Sequence, residues 1–125
     1  MDLKIEVSEE LRQAWPLFRG AAVFATVKNS PYSEELWKRI GEFTELYRQK
    51  YTIDSIKEMP AIQATRQAYK KCGKDPSRYR PSSEALCRRL LRGLSLYQID
   101  TLVDLINLAS INSGHSIGGF DRDKI

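Results

Sequence analysis

Apolar residues recur along the chain at two spacings, and each spacing predicts a kind of element. Residues 3–7 alternate apolar and polar side chains, which is typical of a half-buried strand. Residues 20–27, Gly-Ala-Ala-Val-Phe-Ala-Thr-Val, carry no charge and are rich in β-branched and apolar side chains, which predicts a central strand buried on both faces. Near the end, Phe120-Asp121 predicts the start of a further strand.

Between these segments the apolar positions follow helical spacing. Serine or aspartate before acidic or apolar residues predicts helix starts, while proline and glycine mark starts and ends. Ile53 and Ile56 belong to a short linking element. The predicted helices, caps included, run from Ser8 to about Pro16, from Ser33 to about Tyr51, from Pro60 to Gly73, from Ser82 to Gly93 and from Asp100 to Gly114.

Two of the helices indicate where the core lies. The stripe Leu36, Ile40, Phe43 and Tyr47 predicts core packing in preference to a ligand wall. The helix 101–113 is apolar on almost every side, which predicts a buried helix. Asp104 and Asn107 lie within this helix. Because buried polar groups need partners, both side chains should be hydrogen-bonded.

Composition fits one globular domain. The chain has 125 residues with 42% hydrophobic and 29% charged, and we treat 1–125 as a single domain. No apolar run is long enough to span a bilayer, and the N-terminus lacks the features of a signal peptide, so a cytoplasmic protein is expected. Two cysteines and one histidine do not form a metal-ligand pattern, and no metal or cofactor is predicted.

Positive charge is concentrated in one segment. Residues 66–92 contain nine basic and two acidic residues, a formal +7, so the remainder of the chain sums to −3 against a total of +4. Such a surface favours an anionic partner, and nucleic acid is the natural one. The alternative is that Arg78, Arg80, Arg88 and Arg89 pair with carboxylates inside the fold, including Glu84 and Asp104. The candidate RNA-binding residues are Arg66, Lys70, Lys74, Arg78, Arg80, Arg88, Arg89 and Arg92.

The chain offers few candidates for chemistry. No catalytic triad can be assembled. Asn107 could donate a hydrogen bond to a carbonyl or a ribose hydroxyl, or could join two helices. Gly118-Gly119 would allow a ligand to approach the backbone amides, or would simply form a turn. His115 is either a base or a solvated loop residue.

Two longer motifs resemble a known family. The run 64–86, Ala-Thr-Arg-Gln-Ala-Tyr-Lys-Lys-Cys-Gly-Lys-Asp-Pro-Ser-Arg-Tyr-Arg-Pro-Ser-Ser-Glu-Ala-Leu, resembles freestanding proteins with a B3/B4 tRNA-binding domain. The runs 103–108 and 118–125 are similar to the same domain in the phenylalanyl-tRNA synthetase β subunit. The resemblance covers roughly the second half of the chain and implies an α+β domain.

The resemblance also implies a candidate activity. In the synthetase this domain hydrolyses wrongly attached tyrosine from tRNA, and its pocket asparagine falls on Asn107. The family's histidine position is occupied by Gly118 and its threonine position by Ile106. Asn107 and Gly118 are therefore the candidate catalytic positions. The family domain continues with further strands, so we expect an incomplete domain whose sheet is completed by a missing C-terminal segment or by a dimer.

The leading prediction is a module that binds tRNA or aminoacyl-tRNA. The first alternative is a trans-acting deacylase that hydrolyses mischarged aminoacyl-tRNA. The second is a protein- or small-molecule-interaction domain whose arginines pair internally.

Overall fold

The computed structural model describes residues 3–125, and the regular structure within them is helical. Two 3-10 helices accompany the α-helices. They are Ile53–Glu58, between the second and third α-helices, and Arg122–Lys124 near the end. The α-helices are α1 (Glu9–Ala14), α2 (Glu34–Lys50), α3 (Pro60–Lys71), α4 (Ser82–Leu91) and α5 (Thr101–Ser113).

The predicted α+β fold is wrong, because residues 3–125 contain no strand. The segment 20–27, predicted as a buried central strand, is irregular, and Val23 is 90% exposed. Residues 3–7 and Phe120-Asp121 are likewise not strands. A strand exists only by pairing with another, and no described segment lies alongside these residues to form a ladder. The β-rich composition of 20–27 is therefore left facing solvent.

The helix boundaries were predicted well, because local caps set them. Ser33 Oγ accepts from the backbone N–H of Leu36 at 3.2 Å at the start of α2. Asp100 Oδ1 accepts from the N–H of Val103 at 2.9 Å at the start of α5. Helix α5 then ends at Gly114, whose φ of 79° is the left-handed conformation that favours glycine. At α4, by contrast, the predicted cap Ser82 is the first helical residue, and Pro81 is the N-cap.

The core lies where α4 meets α2, α5 and the 3-10 helix Ile53–Glu58. Ile56, Ile62 and Leu90 are completely buried, and each contributes about 1.5–3 kcal/mol relative to an exposed side chain. The stripe of α2 packs into this core as predicted. Leu36, Ile40 and Tyr47 of that stripe are buried, and Phe43 packs against them.

Helix α5 is only partly buried, which contradicts the prediction of a fully enclosed helix. Asp104, Ser110 and Ile111 form its buried face, whereas Leu105 is 49% exposed. Because α4 and α2 cover one side only, the apolar residues on the other side remain accessible. Asp104 is hydrogen-bonded as expected: Trp37 Nε1 donates to it at 3.0 Å and the N–H of Ile99 at 2.9 Å. No helix within residues 3–125 is long and apolar enough to cross a membrane.

Candidate nucleic-acid interface

A single buried carboxylate organises the basic segment. Glu84 is completely buried in the first turn of α4. Arg66 Nη1 donates to both of its oxygens, at 2.8 and 3.0 Å. Arg80 Nε lies 3.6 Å and Arg88 Nη2 3.5 Å from the same carboxylate. We call these four residues the Glu84 cluster.

Helical geometry and a stiff turn assemble the cluster. Arg88 stands four residues after Glu84 on the same side of α4. Arg80 lies in the turn just before the helix, four residues before Glu84. Arg66 arrives from α3, and its Nη2 also donates to Ser77 Oγ at 3.2 Å. The turn between the helices holds this arrangement, because its prolines, Pro76 and Pro81, are completely buried.

The cluster carries more positive charge than its carboxylate can balance. Three guanidiniums face one carboxylate, which leaves a formal excess of two positive charges. The Arg88 side chain is only 10% exposed, and its Nε is a buried donor without a hydrogen-bond partner in the described structure. Because Arg66 and Arg80 are 14% and 34% exposed, the excess field reaches solvent on their side. The cluster thus both ties the fold and presents positive potential.

The structure separates the eight candidate RNA-binding residues into two groups. Arg66, Arg80 and Arg88 belong to the Glu84 cluster and pair with its carboxylate. The side chains of Arg66 and Arg88 turn towards Glu84 and are only 14% and 10% exposed. Asp104, the other expected carboxylate partner, binds Trp37 and Ile99 instead. The exposed group consists of Lys70, Lys74, Arg78 and Arg92.

Arg89 belongs to neither group, because it is half-buried and does not contact Glu84. Its Nε donates to the backbone carbonyl of Ser95 at 2.6 Å, and its guanidinium lies 3.9 Å from the ring centre of Tyr97. This stacking anchors the segment after α4 and leaves the residue half-buried.

Tyr79 is a surface aromatic residue that the charge pattern alone did not single out. Its ring centre lies 5.1 Å from Lys74 Nζ and 5.4 Å from the Arg78 guanidinium, and the residue is 47% exposed. Two cations beside one accessible ring form a surface that can meet both phosphates and bases. The alternation of basic and aromatic residues in Arg78-Tyr79-Arg80 was the available sequence signal.

The two candidate catalytic positions lie on and after α5. Asn107 is half-buried on the helix, and Gly118 is exposed in the following loop. That loop folds back onto the helix, because a Cβ on Gly119 would lie 3.1 Å from Ile106 Cδ1. A backbone turn therefore approaches the part of α5 that carries Asn107. The His115 side chain is exposed, while its carbonyl accepts from Ser110 Oγ at 2.7 Å.

The cysteines offer little to a nucleophilic mechanism. Burial raises the pKa of the Cys87 thiol, so this group stays protonated at neutral pH. Burial likewise raises the pKa of the Tyr47 phenol. Cys72 is exposed, and both cysteines are free thiols. Within residues 3–125, no three His, Cys, Asp or Glu side chains come together as a metal site.

The domain family follows from this half of the molecule. The family model of the B3/4 domain matches residues 64–125, which contain the Glu84 cluster, the turn with Tyr79 and helix α5. This part of the chain is therefore similar to the B3/4 domain. The narrower resemblance to the phenylalanyl-tRNA synthetase β subunit stays a prediction. No curated protein and no solved structure matches the chain.

Proposed function

We propose that this B3/4 domain protein binds tRNA or aminoacyl-tRNA through the exposed cations of residues 66–92. The observation that carries the proposal is the charge balance of this segment. Its only acidic residues are Asp75 and Glu84, and Glu84 is already enclosed by three arginines. The exposed cations outside the Glu84 cluster are thus available to an external anion, and RNA phosphates are the anions that such a surface fits.

The two groups of cations have different roles in this proposal. The Glu84 cluster fixes the angle between α3 and α4, so its arginines act as positioning residues. The exposed cations contact the phosphates, and Tyr79 offers a face to an accessible base. The contacting residues are Lys70, Lys74, Arg78 and Arg92.

The test is a titration of the intact chain with tRNA, followed by fluorescence anisotropy at 50 and 200 mM salt. Each phosphate contact contributes about 0.7–0.9 to the slope of log affinity against log salt, so binding should weaken steeply over this interval. Absence of tRNA binding by folded protein would overturn the proposal. It would favour the alternative of an interaction domain with internally paired arginines, an alternative supported by the contacts of Glu84.

Deacylation in trans is a second candidate function. It is supported by the loop that folds back onto α5, which brings the backbone of Gly118-Gly119 towards the part of the helix that carries Asn107. In this proposal Asn107 and a backbone amide would orient water and the ester carbonyl. The same protein should then release the amino acid from mischarged tRNA, and Asn107→Ala should abolish release without weakening tRNA binding. Release that is unchanged in Asn107→Ala would remove Asn107 from this role.

A further inference from the structure

A groove between the N-terminal segment and α3 has the features of a ligand site. Its volume is about 540 Å³, within the range of about 300–1,000 Å³ usual for small-molecule sites. Three aromatic side chains line it, Trp15, Phe18 and Tyr69. Alanines and a threonine of α3 also line the groove. Because these side chains are small, a flat group can lie close to the helix.

The charges of the groove have one sign. Arg19 and Lys74 line it, and none of the described residues lining it is acidic. The groove therefore combines an apolar, aromatic wall with cationic side chains. A ligand that fits this combination has a flat aromatic part and a negative group attached to it.

The groove is continuous with the proposed RNA surface. Lys74 lines the groove and also lies 5.1 Å from the ring centre of Tyr79. A strand of RNA whose phosphates follow the exposed cations of the turn can therefore reach the groove without leaving the positive surface.

We propose that the groove holds one unpaired nucleotide, with its base against the aromatic side chains and its phosphate near Arg19 and Lys74. This inference rests on the proposed function and deepens it, because it states that the bound RNA contributes a single-stranded nucleotide. A base within a duplex is already stacked on both faces and cannot enter. Unpaired bases, in contrast, stack readily on aromatic side chains.

The test compares Phe18→Ala with the matched control Phe24→Ala. Phe18 is 41% exposed and lines the groove, whereas Phe24 is 54% exposed and does not line it. The probes are a labelled 12-nucleotide single-stranded RNA, an RNA duplex and tRNA, each titrated by fluorescence anisotropy. Free AMP, titrated by calorimetry, distinguishes a nucleotide site from a site that needs the polymer. Near-ultraviolet circular dichroism verifies that both variants keep the native fold.

Phe18→Ala should weaken single-strand binding about fivefold or more, leave duplex binding unchanged, and differ clearly from Phe24→Ala. Equal single-strand affinity of the two variants and the wild type would overturn the groove assignment while tRNA binding could still stand. If the wild type binds no RNA, the proposed function fails. The AMP titration then tests whether the groove is a nucleotide site. AMP binding that is lost in Phe18→Ala would support a free-nucleotide site, and absence of AMP binding would overturn it.

Discussion

Arg66 Nη1 donates to both carboxylate oxygens of Glu84, and this contact joins α3 to α4 at the centre of the basic segment. Arg66 lies on α3 and Glu84 on α4, so the pair fixes the orientation of the turn between the two helices. The turn carries Lys74, Arg78 and Tyr79 on its surface. An internal ion pair thus positions the residues proposed to contact RNA, and the same segment contains both structural and exposed arginines.

Glu84→Gln should destabilise the protein strongly. The change leaves three guanidiniums facing each other without their carboxylate, and breaking a buried ion pair typically costs about 3–5 kcal/mol. Urea unfolding measures the loss. The matched control is Glu35→Gln, which removes an exposed pair with Arg39 at 3.9 Å and should cost less than about 1 kcal/mol. Equal losses in both variants would contradict a central role for Glu84.

Trp37→Phe should cost about 1–3 kcal/mol. Trp37 Nε1 donates to Asp104, whose side chain is completely buried, so the change removes one of its hydrogen bonds. Chemical denaturation again provides the measurement. Trp15→Phe makes the same chemical change in the groove wall, away from this carboxylate, and should cost less. A larger loss in Trp15→Phe would show that the bond to Asp104 contributes little.

Two glycine-to-alanine substitutions should change the free energy of unfolding in opposite directions. Gly114→Ala would place a Cβ 3.1 Å from the Ala61 Cβ at a φ of +79°, so unfolding should become easier by about 1 kcal/mol or more. Gly41→Ala meets nothing within 4 Å inside α2 and should stabilise by about 0.5–1 kcal/mol. Thermal and urea midpoints measure both. A stabilising Gly114→Ala would mean that α5 does not end as described.

Cys87 should resist alkylation in the folded protein, whereas Cys72 should react. Cys72 is exposed, while Cys87 is buried and burial raises its thiol pKa. Mass spectrometry after iodoacetamide treatment should find one modified cysteine in the native protein and two after denaturation.

The raised pKa of Cys87 also means that stability falls as pH rises past about 8.5, the ordinary thiol value, because only the unfolded chain ionises there. This component should disappear in Cys87→Ala.

The comparison of sequence with structure separates local from non-local signals. The bounds of α5 were predictable because Asp100 and Gly114 act on their own neighbours. Arg80 and Arg88 were predictable partners of Glu84 because each lies only four residues from it along the chain. The contact of Arg66 with Glu84 was not predicted, since it depends on how α3 and α4 pack.

The strand predictions also failed because they depend on non-local contacts. The composition of 20–27 favours a strand, but strand formation depends on a pairing partner that the segment itself does not encode. The exposed side of α5 was also missed, because apolar composition does not reveal how many neighbours a helix has. Leu105 is accessible although its type favours the core.

The most direct test of the account compares two double variants in tRNA binding across salt concentrations. Lys70→Ala with Lys74→Ala removes two exposed cations of the basic segment, and Lys38→Ala with Lys57→Ala removes two exposed cations elsewhere. Arg88 is unsuitable for this test, because it is buried and its substitution would destabilise the fold as well as remove a charge. The first pair should weaken tRNA binding and lower the salt slope by about 1.4–1.8, while the second should change the slope little. Equal effects of the two pairs at unchanged stability would contradict a localised RNA surface.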